Sequence, residues 1–269
     1  MKLLFVLFIS DLLYLASGHA MAVDGRDMNF GTYYQHSCAF FSANNYGDDW
    51  CNTGNTGTKP ATVLLMGDSY SNSLTTFFDA LLESKKANFV YQQFGRGQCP
   101  SLKEYGPEYC RKFASEEIKY VMQHPEIKTI FIAAEWEVYF LGKDFSWVGY
   151  KATKEQFMKG FIETIGAYKG LGKKVVVILS PPVPTFDTAS CLSRNISIGV
   201  KKSCSASRSD INDAQTYRQF MIPFLAKENI KMFDPVKYFC SKDECIFGNS
   251  EKVYFAGGCT SQAMGVFDF

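Results

Sequence analysis

The sequence is poor in histidine and has no excess of charge of either sign. It contains only 3 histidines in 269 residues, and none of them lies after His124. Its 28 Lys and Arg residues balance 27 Asp and Glu residues, which gives a net charge of +1. Such a balance provides no field that would attract nucleic acid or an anionic membrane surface. We therefore expect no nucleic-acid partner.

The 9 cysteines include no C-x-x-C spacing, which argues against a zinc or thioredoxin-like site, and we expect neither metal nor cofactor. Eight of the cysteines form closely spaced couples, each of which predicts a small disulfide loop, although spacing leaves the connectivity open. Disulfides persist in oxidising compartments, so the cysteines indicate an exported protein. The couples are Cys38 and Cys51, Cys99 and Cys110, Cys191 and Cys204, and Cys240 and Cys245, with Cys259 left over.

The N-terminus is consistent with export. Lys2 precedes an apolar stretch, residues 3–16, and small residues follow, so residues 1–20 are typical of a secretory signal cleaved after Ala20. Asp11 interrupts the stretch, and the alternative is that residues 3–16 belong to the last transmembrane helix of a longer protein. The expected location is accordingly periplasmic or extracellular, or tethered to a membrane if this segment is not cleaved.

With 46% hydrophobic and 20% charged residues, the chain has ample material for a buried core and is not a disordered protein. Residues 21–60 lack a helical or strand period and predict an extended lead-in pinned by Cys38 and Cys51. Residues 61–269 alternate short apolar runs with helical patterns and form one domain. The pattern predicts a three-layer α/β/α sandwich around a parallel sheet of about five strands. The predicted strands are 61–66, 88–94, 129–134, 174–179 and 230–233, and the predicted helices include 74–82, 116–123, 154–171 and 211–228.

Parallel sheets of this kind carry their chemistry at the carboxyl ends of the strands. Segments 67–70, 94–99 and 133–136 therefore converge at one edge, and residues 180–208 are long enough to cover it as a lid. Ser69 lies there at a strand-to-helix turn, where helix N–H groups favour a developing anion. It is a candidate nucleophile, although a helix N-cap is the simpler interpretation of the same residue.

Several segments, in order, resemble the SGNH hydrolase superfamily, and more closely the SGNH-like domain that follows the membrane domain of bacterial O-acyltransferases. That resemblance implies an SGNH/flavodoxin-like fold and an acyl-enzyme at Ser69, with an oxyanion hole formed by the N–H groups of Ser69 and of Gly95 or Gly97. It also implies transfer or removal of acyl groups, such as acetyl, on cell-surface carbohydrate, with a separate membrane acyltransferase as acyl donor. The segments that carry it are 64–69, 97–102, 131–136, 176–184, 191–194 and 234–265.

The chain departs from the family where the acid and base are expected. The family has an Asp-x-x-His motif in its last block, whereas this sequence has Ala256 and Cys259 at those positions. His36 belongs to the lead-in, and His124 ends a helix at the opposite edge of the sheet, so neither is a base for Ser69. The sequence therefore predicts impaired catalysis, and the alternative is a non-catalytic carbohydrate-binding or partner-docking domain.

Two further features have simpler alternatives. Asp68, Tyr70 and Trp136 are predicted to line a substrate site, and nearby aromatic residues would stack on sugar rings unless they belong to the core. Asn195 begins an Asn-Ile-Ser acceptor sequence, which matters only in a host that attaches N-glycans. The nearby aromatic residues are Tyr139, Phe140, Trp147 and Tyr150.

Overall fold

A five-stranded parallel sheet, extended by one antiparallel edge strand, forms the centre of the molecule. The computed structural model describes residues 49–54, 59–85, 87–143, 145, 149–199 and 202–249. Its strands are β1 (Asp49–Gly54), β2 (Val63–Gly67), β3 (Tyr91–Arg96), β4 (Thr129–Ala133), β5 (Lys174–Ile178), β6 (Cys204–Ser207), β7 (Lys231–Phe233) and β8 (Glu244–Gly248). The central sheet has the order β1-β3-β2-β4-β5-β7, and only β1 runs antiparallel to its neighbour.

The continuous apolar runs become strands because both faces of the sheet are covered by helices. All five residues of β2 are buried, and alternate residues contribute to different cores. Leu64 and Met66 belong to the core on one face of the sheet, whereas Val63 and Leu65 belong to the core on the other face. The predicted three-layer sandwich is confirmed. The helices are α1 (Ser69–Ser73), α2 (Thr75–Glu83), α3 (Glu108–Gln123), α4 (Trp136–Phe140), α5 (Lys154–Gly170), α6 (Thr188–Ser197), α7 (Arg208–Ala214), α8 (Arg218–Lys227) and α9 (Val236–Phe239).

The end of the predicted lead-in is part of the sheet. Residues Asp49–Gly54 form β1, which pairs along its whole length with Tyr91–Arg96. Their sequence has no apolar alternation, and the pairing depends on backbone groups that any residue type supplies. Residues 1–48, with the predicted signal, His36 and Cys38, lie outside the described residues.

The predicted helix 211–228 is divided into two. The carboxylate of Glu137 on α4 accepts hydrogen bonds from Thr216 Oγ1 at 2.7 Å and from the amide of Tyr217 at 2.9 Å. Tyr217 is the N-cap residue of α8, and its own side chain makes no capping bond. Glu137 therefore satisfies an amide at the start of a second helix.

The segment predicted as a lid has its own secondary structure. It contains α6 and β6, and β6 pairs antiparallel with β8 in a separate two-stranded sheet. Disulfides Cys191–Cys204 and Cys240–Cys245 close this region. Asn195 is 6% exposed because its Nδ2 donates to the carbonyl of Lys202 at 2.8 Å, next to Cys204. None of the helices in the described part of the chain has both the length and the apolar character of a membrane span.

Candidate active site at the carboxyl edge of the sheet

The turn after β2 brings Ser69 to the carboxyl edge of the sheet. Gly67 ends the strand with φ of 143°, and a Cβ at this position would lie 1.7 Å from the carbonyl oxygen of Ala133 on β4. Only glycine fits a backbone that approaches its neighbour so closely. The chain then turns at Asp68, and Ser69 is the first residue of α1.

The side chain of Asp68 stabilises this turn through hydrogen bonds. Its side chain is buried, with Oδ1 accepting from the amide of Tyr70 at 2.8 Å. Oδ2 accepts from the amide of Glu135 at 3.0 Å and from the hydroxyl of Tyr139 at 2.8 Å. The N-cap of α1 is therefore Asp68 and not Ser69. A carboxylate that is 2% exposed and accepts three hydrogen bonds is a structural anchor, which corrects its prediction as a substrate-lining residue.

Ser69 is the serine of this turn whose hydroxyl is available for chemistry. It is half-buried, and within the described residues the structure records no hydrogen bond from its hydroxyl. As the first helical residue, it has no acceptor for its amide inside α1. Ser71, by contrast, is fully buried, donates to the carbonyl of Asp68 at 2.8 Å and accepts from Gln93 Nε2 at 3.2 Å.

The two predicted glycine donors of the oxyanion hole differ in setting. Gly95 lies inside the sheet, with Trp50 of β1 on one side and Gly67 of β2 on the other. Gly97 follows the end of β3 in a tight turn, which the amide of Cys99 closes by donating to the carbonyl of Arg96 at 3.0 Å. The setting outside the ladder favours Gly97 as the amide that is free to face a ligand.

Trp136, predicted to line the substrate site, lies in the core. Its side chain is fully buried, Nε1 donates to the carbonyl of Ile178 at 2.7 Å, and its ring packs edge-on against Phe157 and Phe161. Tyr139 and Phe140 of the same helix are also buried. These three rings have no face left for a sugar. Trp147 lies outside the described residues.

Two phenols have their hydroxyl groups at residues 179–180, just after the carboxyl end of β5. The hydroxyl of Tyr70 donates to the carbonyl of Leu179 at 3.3 Å, and the hydroxyl of Tyr217 accepts from the amide of Ser180 at 3.0 Å. Burial raises the pKa of Tyr70 well above its ordinary value, and repulsion from Tyr217 in its ionised form and from the carboxylate of Asp68 raises it further. Burial likewise raises the pKa of Tyr217 to about 12. Neither phenol is ionised at neutral pH, so neither is a base for Ser69.

A buried ion pair that the sequence did not reveal follows the end of β7. Arg218 Nη2 lies 2.6 Å from Asp234 Oδ2, and both side chains are nine-tenths buried. Burial is the largest single effect and lowers the pKa of Arg218, but the hydrogen bond to Asp234, the charge of Asp234 and the interactions with Tyr217 together raise the pKa above its ordinary value. The pair joins α8 to the edge strand and leaves neither charge free for catalysis. Arg218 and Asp234 are separated by 16 residues without a shared pattern, so no sequence signal marked the pair.

The one histidine among the described residues is far from Ser69. His124 ends α3 just before β4, at the amino edge of the sheet. Its ring stacks on Tyr120 at 3.9 Å, and Nδ1 lies 2.8 Å from Glu126 Oε1. The hydrogen bond to His124 is the main reason why the pKa of Glu126 is lowered. His124 is thus a surface residue in a local pair.

Residues 250–269, with Ala256 and Cys259, lie outside the described residues, as does Cys38 and with it the predicted Cys38–Cys51 bridge. The structure contains the other three predicted bridges, Cys99–Cys110, Cys191–Cys204 and Cys240–Cys245. The first of them joins the turn of Gly97 to the first turn of α3.

The candidate site that the structure describes consists of Ser69, its anchor Asp68, the amide of Gly97 and the phenol of Tyr70.

Comparisons with known proteins identify one matching family and several similar structures. The sequence model of a family described as "SGNH domain (fused to AT3 domains)" matches residues 37–257. The structure is similar to the periplasmic domain of a lipopolysaccharide acetyltransferase from Salmonella ser. Paratyphi A, with a TM-score of 0.55 and 15% identity over 71% of this chain and 72% of that one. A Bacteroides fragilis protein described as an acylhydrolase matches with a TM-score of 0.42 and 12% identity over 69% of this chain and 72% of that one. None of the curated proteins compared with the sequence matches it.

Proposed function

The chain belongs to the SGNH family of domains fused to AT3 domains, and on that premise we propose that it is an exported serine acyltransferase or esterase acting on cell-surface carbohydrate. The observation that carries the proposal is the setting of Ser69. It is a half-buried serine at the carboxyl end of a central strand, and its turn is fixed by the buried carboxylate of Asp68. A nucleophile needs this combination of access and fixed geometry.

The proposed reaction has two steps. Ser69 Oγ forms a bond to the carbonyl carbon of an acyl donor, its proton is removed, and the donor's oxygen leaves with a proton. The resulting ester on Ser69 is then attacked by a hydroxyl group, which takes the acyl group and returns a proton to Ser69. A sugar hydroxyl in this second step makes the domain a transferase, and water makes it an esterase.

The amides of Ser69 and Gly97 would stabilise the oxyanion that forms in each step. Both lie at the carboxyl ends of neighbouring parallel strands, and the register aligns Gly67 with Gly95 two residues before each donor. Backbone amides in such a position strengthen their hydrogen bonds as charge develops on the oxygen. Tyr70, half-buried beside Ser69, would contact the substrate.

Export is supported by the three disulfides of the described residues. The similar Salmonella domain is described as periplasmic. The family's fusion to AT3 domains supports a membrane acyltransferase as the acyl donor. The acyl group in that Salmonella enzyme is acetyl, by its description.

We expect slow turnover because Ala256 and Cys259 replace the acid and the base. Removing the base of a serine triad lowers the rate by orders of magnitude, while the oxyanion hole retains part of the catalysis. A neutral thiol at Cys259 is a poor base for a hydroxyl group. The same replacement favours a second candidate function, a carbohydrate-binding or partner-docking domain without catalysis.

Labelling with a fluorophosphonate probe separates the two functions. We expect the probe to add to the intact protein once and peptide mapping to locate it on Ser69 rather than Ser71, with no adduct in Ser69→Ala. Slow hydrolysis of an activated aryl ester should likewise depend on Ser69. A protein that is never labelled, or an ester rate that is equal in Ser69→Ala, would reject the enzyme and favour the binding domain.

Restoring the missing pair tests the proposed cause of slow turnover. The double variant Ala256→Asp, Cys259→His should raise the Ser69-dependent esterase rate by at least about 10²-fold, because general-base assistance is worth about 10²- to 10⁴-fold. Each single variant should gain less, since a histidine without its acid is poorly oriented. A folded double variant without any gain would mean that these positions do not face Ser69.

A further inference from the structure

A chain of buried contacts connects the turn of Ser69 with the turn of Gly97, and Tyr139 is its middle member. The hydroxyl of Tyr139 donates to Asp68 Oδ2 at 2.8 Å, directly before Ser69. The backbone carbonyl of Tyr139 accepts the hydroxyl of Tyr105, from the loop that follows Gly97. We propose that Tyr139 is a positioning residue that holds the nucleophile and the oxyanion amide at a fixed separation, an inference that rests on the proposed function.

At the first end of this chain, Tyr139 completes the anchoring of Asp68. Asp68 Oδ1 is held by the amide of Tyr70, which belongs to the same turn. Oδ2 is held from outside the turn, by the amide of Glu135 and by the hydroxyl of Tyr139. Of the two hydrogen bonds that Oδ2 accepts, the one from Tyr139 is the bond made by a side chain. We therefore infer that Tyr139 helps to fix the orientation of the turn, and with it the direction in which Ser69 faces.

At the second end, the loop after Gly97 has a backbone that does not form by itself. Gln98, Ser101 and Glu104 have φ of 60°, 53° and 56°, a left-handed conformation that residues other than glycine rarely adopt. Three such residues within seven positions need neighbours that impose the conformation. Tyr105, fully buried, is the next residue after the last of them.

Other contacts fix the far parts of this loop but do not reach Ser69. The hydroxyl of Ser101 donates to Glu117 Oε1 at 3.0 Å on α3, and the amide of Lys103 donates to Thr164 Oγ1 at 2.7 Å on α5. The hydrogen bond from the hydroxyl of Tyr105 to the carbonyl of Tyr139 joins the loop to α4, and through Asp68 to Ser69. The two hydroxyl groups act in series, because that of Tyr105 ends on the backbone of Tyr139 and that of Tyr139 ends on Asp68 in the turn of Ser69.

Another buried tyrosine provides a matched control. Tyr168 is also fully buried in the same core, but its hydroxyl has no hydrogen-bond partner among the described residues. Tyr168→Phe and Tyr139→Phe each delete one buried hydroxyl and keep the ring. The two changes differ in whether the deleted oxygen held Asp68.

The experiment uses the full chain as wild type, Tyr139→Phe, Tyr105→Phe and Tyr168→Phe. The first readout is the rate of Ser69 labelling by a fluorophosphonate, resolved into its maximal rate and its half-saturating concentration. We expect Tyr139→Phe to lower the maximal rate by about tenfold to a hundredfold, as misplaced reacting groups do, with the half-saturating concentration changed by less than about threefold. Tyr105→Phe should act in the same direction, and Tyr168→Phe should match wild type.

The second readout does not depend on catalysis. Hydrogen exchange at the amides of Tyr70 and Glu135, which both donate to Asp68, should be at least about tenfold faster in Tyr139→Phe and unchanged in Tyr168→Phe. Unchanged exchange, or equal labelling of Tyr139→Phe and wild type, overturns the positioning role. If wild type is not labelled at all, the proposed function fails, and exchange alone then decides the role of Tyr139.

Discussion

Replacing Gly67 by alanine tests whether the approach of β2 to β4 fixes the turn of Ser69. The new Cβ would lie 1.7 Å from the carbonyl oxygen of Ala133 and 2.9 Å from its carbonyl carbon. Both atoms belong to the backbone of a central strand, so no side-chain rotation relieves the overlap. The register Gly67↔Ala133 must open by more than an ångström, or the turn must rebuild.

Three costs add up in this variant. A residue with a Cβ at φ of 143° is strained by about 1–3 kcal/mol. Overpacking against a rigid neighbour costs about 1–3 kcal/mol more, and a lost ladder hydrogen bond about 1 kcal/mol. We therefore expect Gly67→Ala to lower the free energy of unfolding by at least about 3 kcal/mol, a large part of the stability of an ordinary domain.

Gly166→Ala is the matched control for this change. Gly166 lies on the exposed face of α5, and a Cβ there meets nothing within 4 Å. The same substitution should raise the free energy of unfolding by about 0.5–1 kcal/mol, because alanine loses less backbone entropy in a helix. Urea unfolding followed by circular dichroism measures both variants. A Gly67→Ala protein within about 1 kcal/mol of wild type would refute the argument from close approach.

Three other expectations follow from the buried groups. Burial raises the pKa of Tyr217 from its ordinary value near 10 to about 12, so the folded state holds this proton more tightly. The stability from this group is intact below about pH 10 and falls by about 3 kcal/mol as the pH rises to about 12, and urea unfolding across this range should show a smaller loss in Tyr217→Phe. Asp234→Asn should cost about 3 kcal/mol in urea unfolding at pH 7, since Arg218 then keeps a buried charge without its counter-ion, and a cost below about 1 kcal/mol would contradict this. Peptide mapping without reductant should recover the three described bridges and the predicted Cys38–Cys51 bridge, with one free thiol per chain, and a crossed pairing would reject the assignment.

The central strands were predictable because burial on both faces leaves a direct trace in the sequence. Val63–Gly67, Thr129–Ala133 and Lys174–Ile178 each lie within one residue or two of the apolar runs that predicted them. The two-residue strand period and the helical period are local signals, and they identified the layers of the fold and the edge at which Ser69 lies. Ser69 itself was marked by the change from a strand pattern to a helix pattern.

What the sequence did not reveal depends on contacts between distant residues. Glu137 interrupts the predicted helix 211–228 from about eighty positions away, through the amide of Tyr217. Asp68 and Tyr139 are 71 positions apart, and neither pattern nor composition pairs them. Trp136 was assigned to a substrate surface because it follows a strand at the active edge, yet the short helix α4 turns its ring into the core. Such outcomes depend on how elements pack and not on local sequence.

Because Asn195 is buried in the folded protein, a glycan can be attached to it only before the loop around it has folded. Its amide nitrogen, the atom that would carry a glycan, donates to the carbonyl of Lys202 within the loop that the bridge Cys191–Cys204 closes. In the folded loop that this bridge closes, Asn195 is 6% exposed and is not accessible to the enzyme that attaches N-glycans. In a host that attaches N-glycans during synthesis, the fraction of chains with a glycan on Asn195 would therefore measure how often modification precedes closure of this loop. A chain modified first could not bury Asn195, so the glycan would also keep this small loop from reaching its native packing.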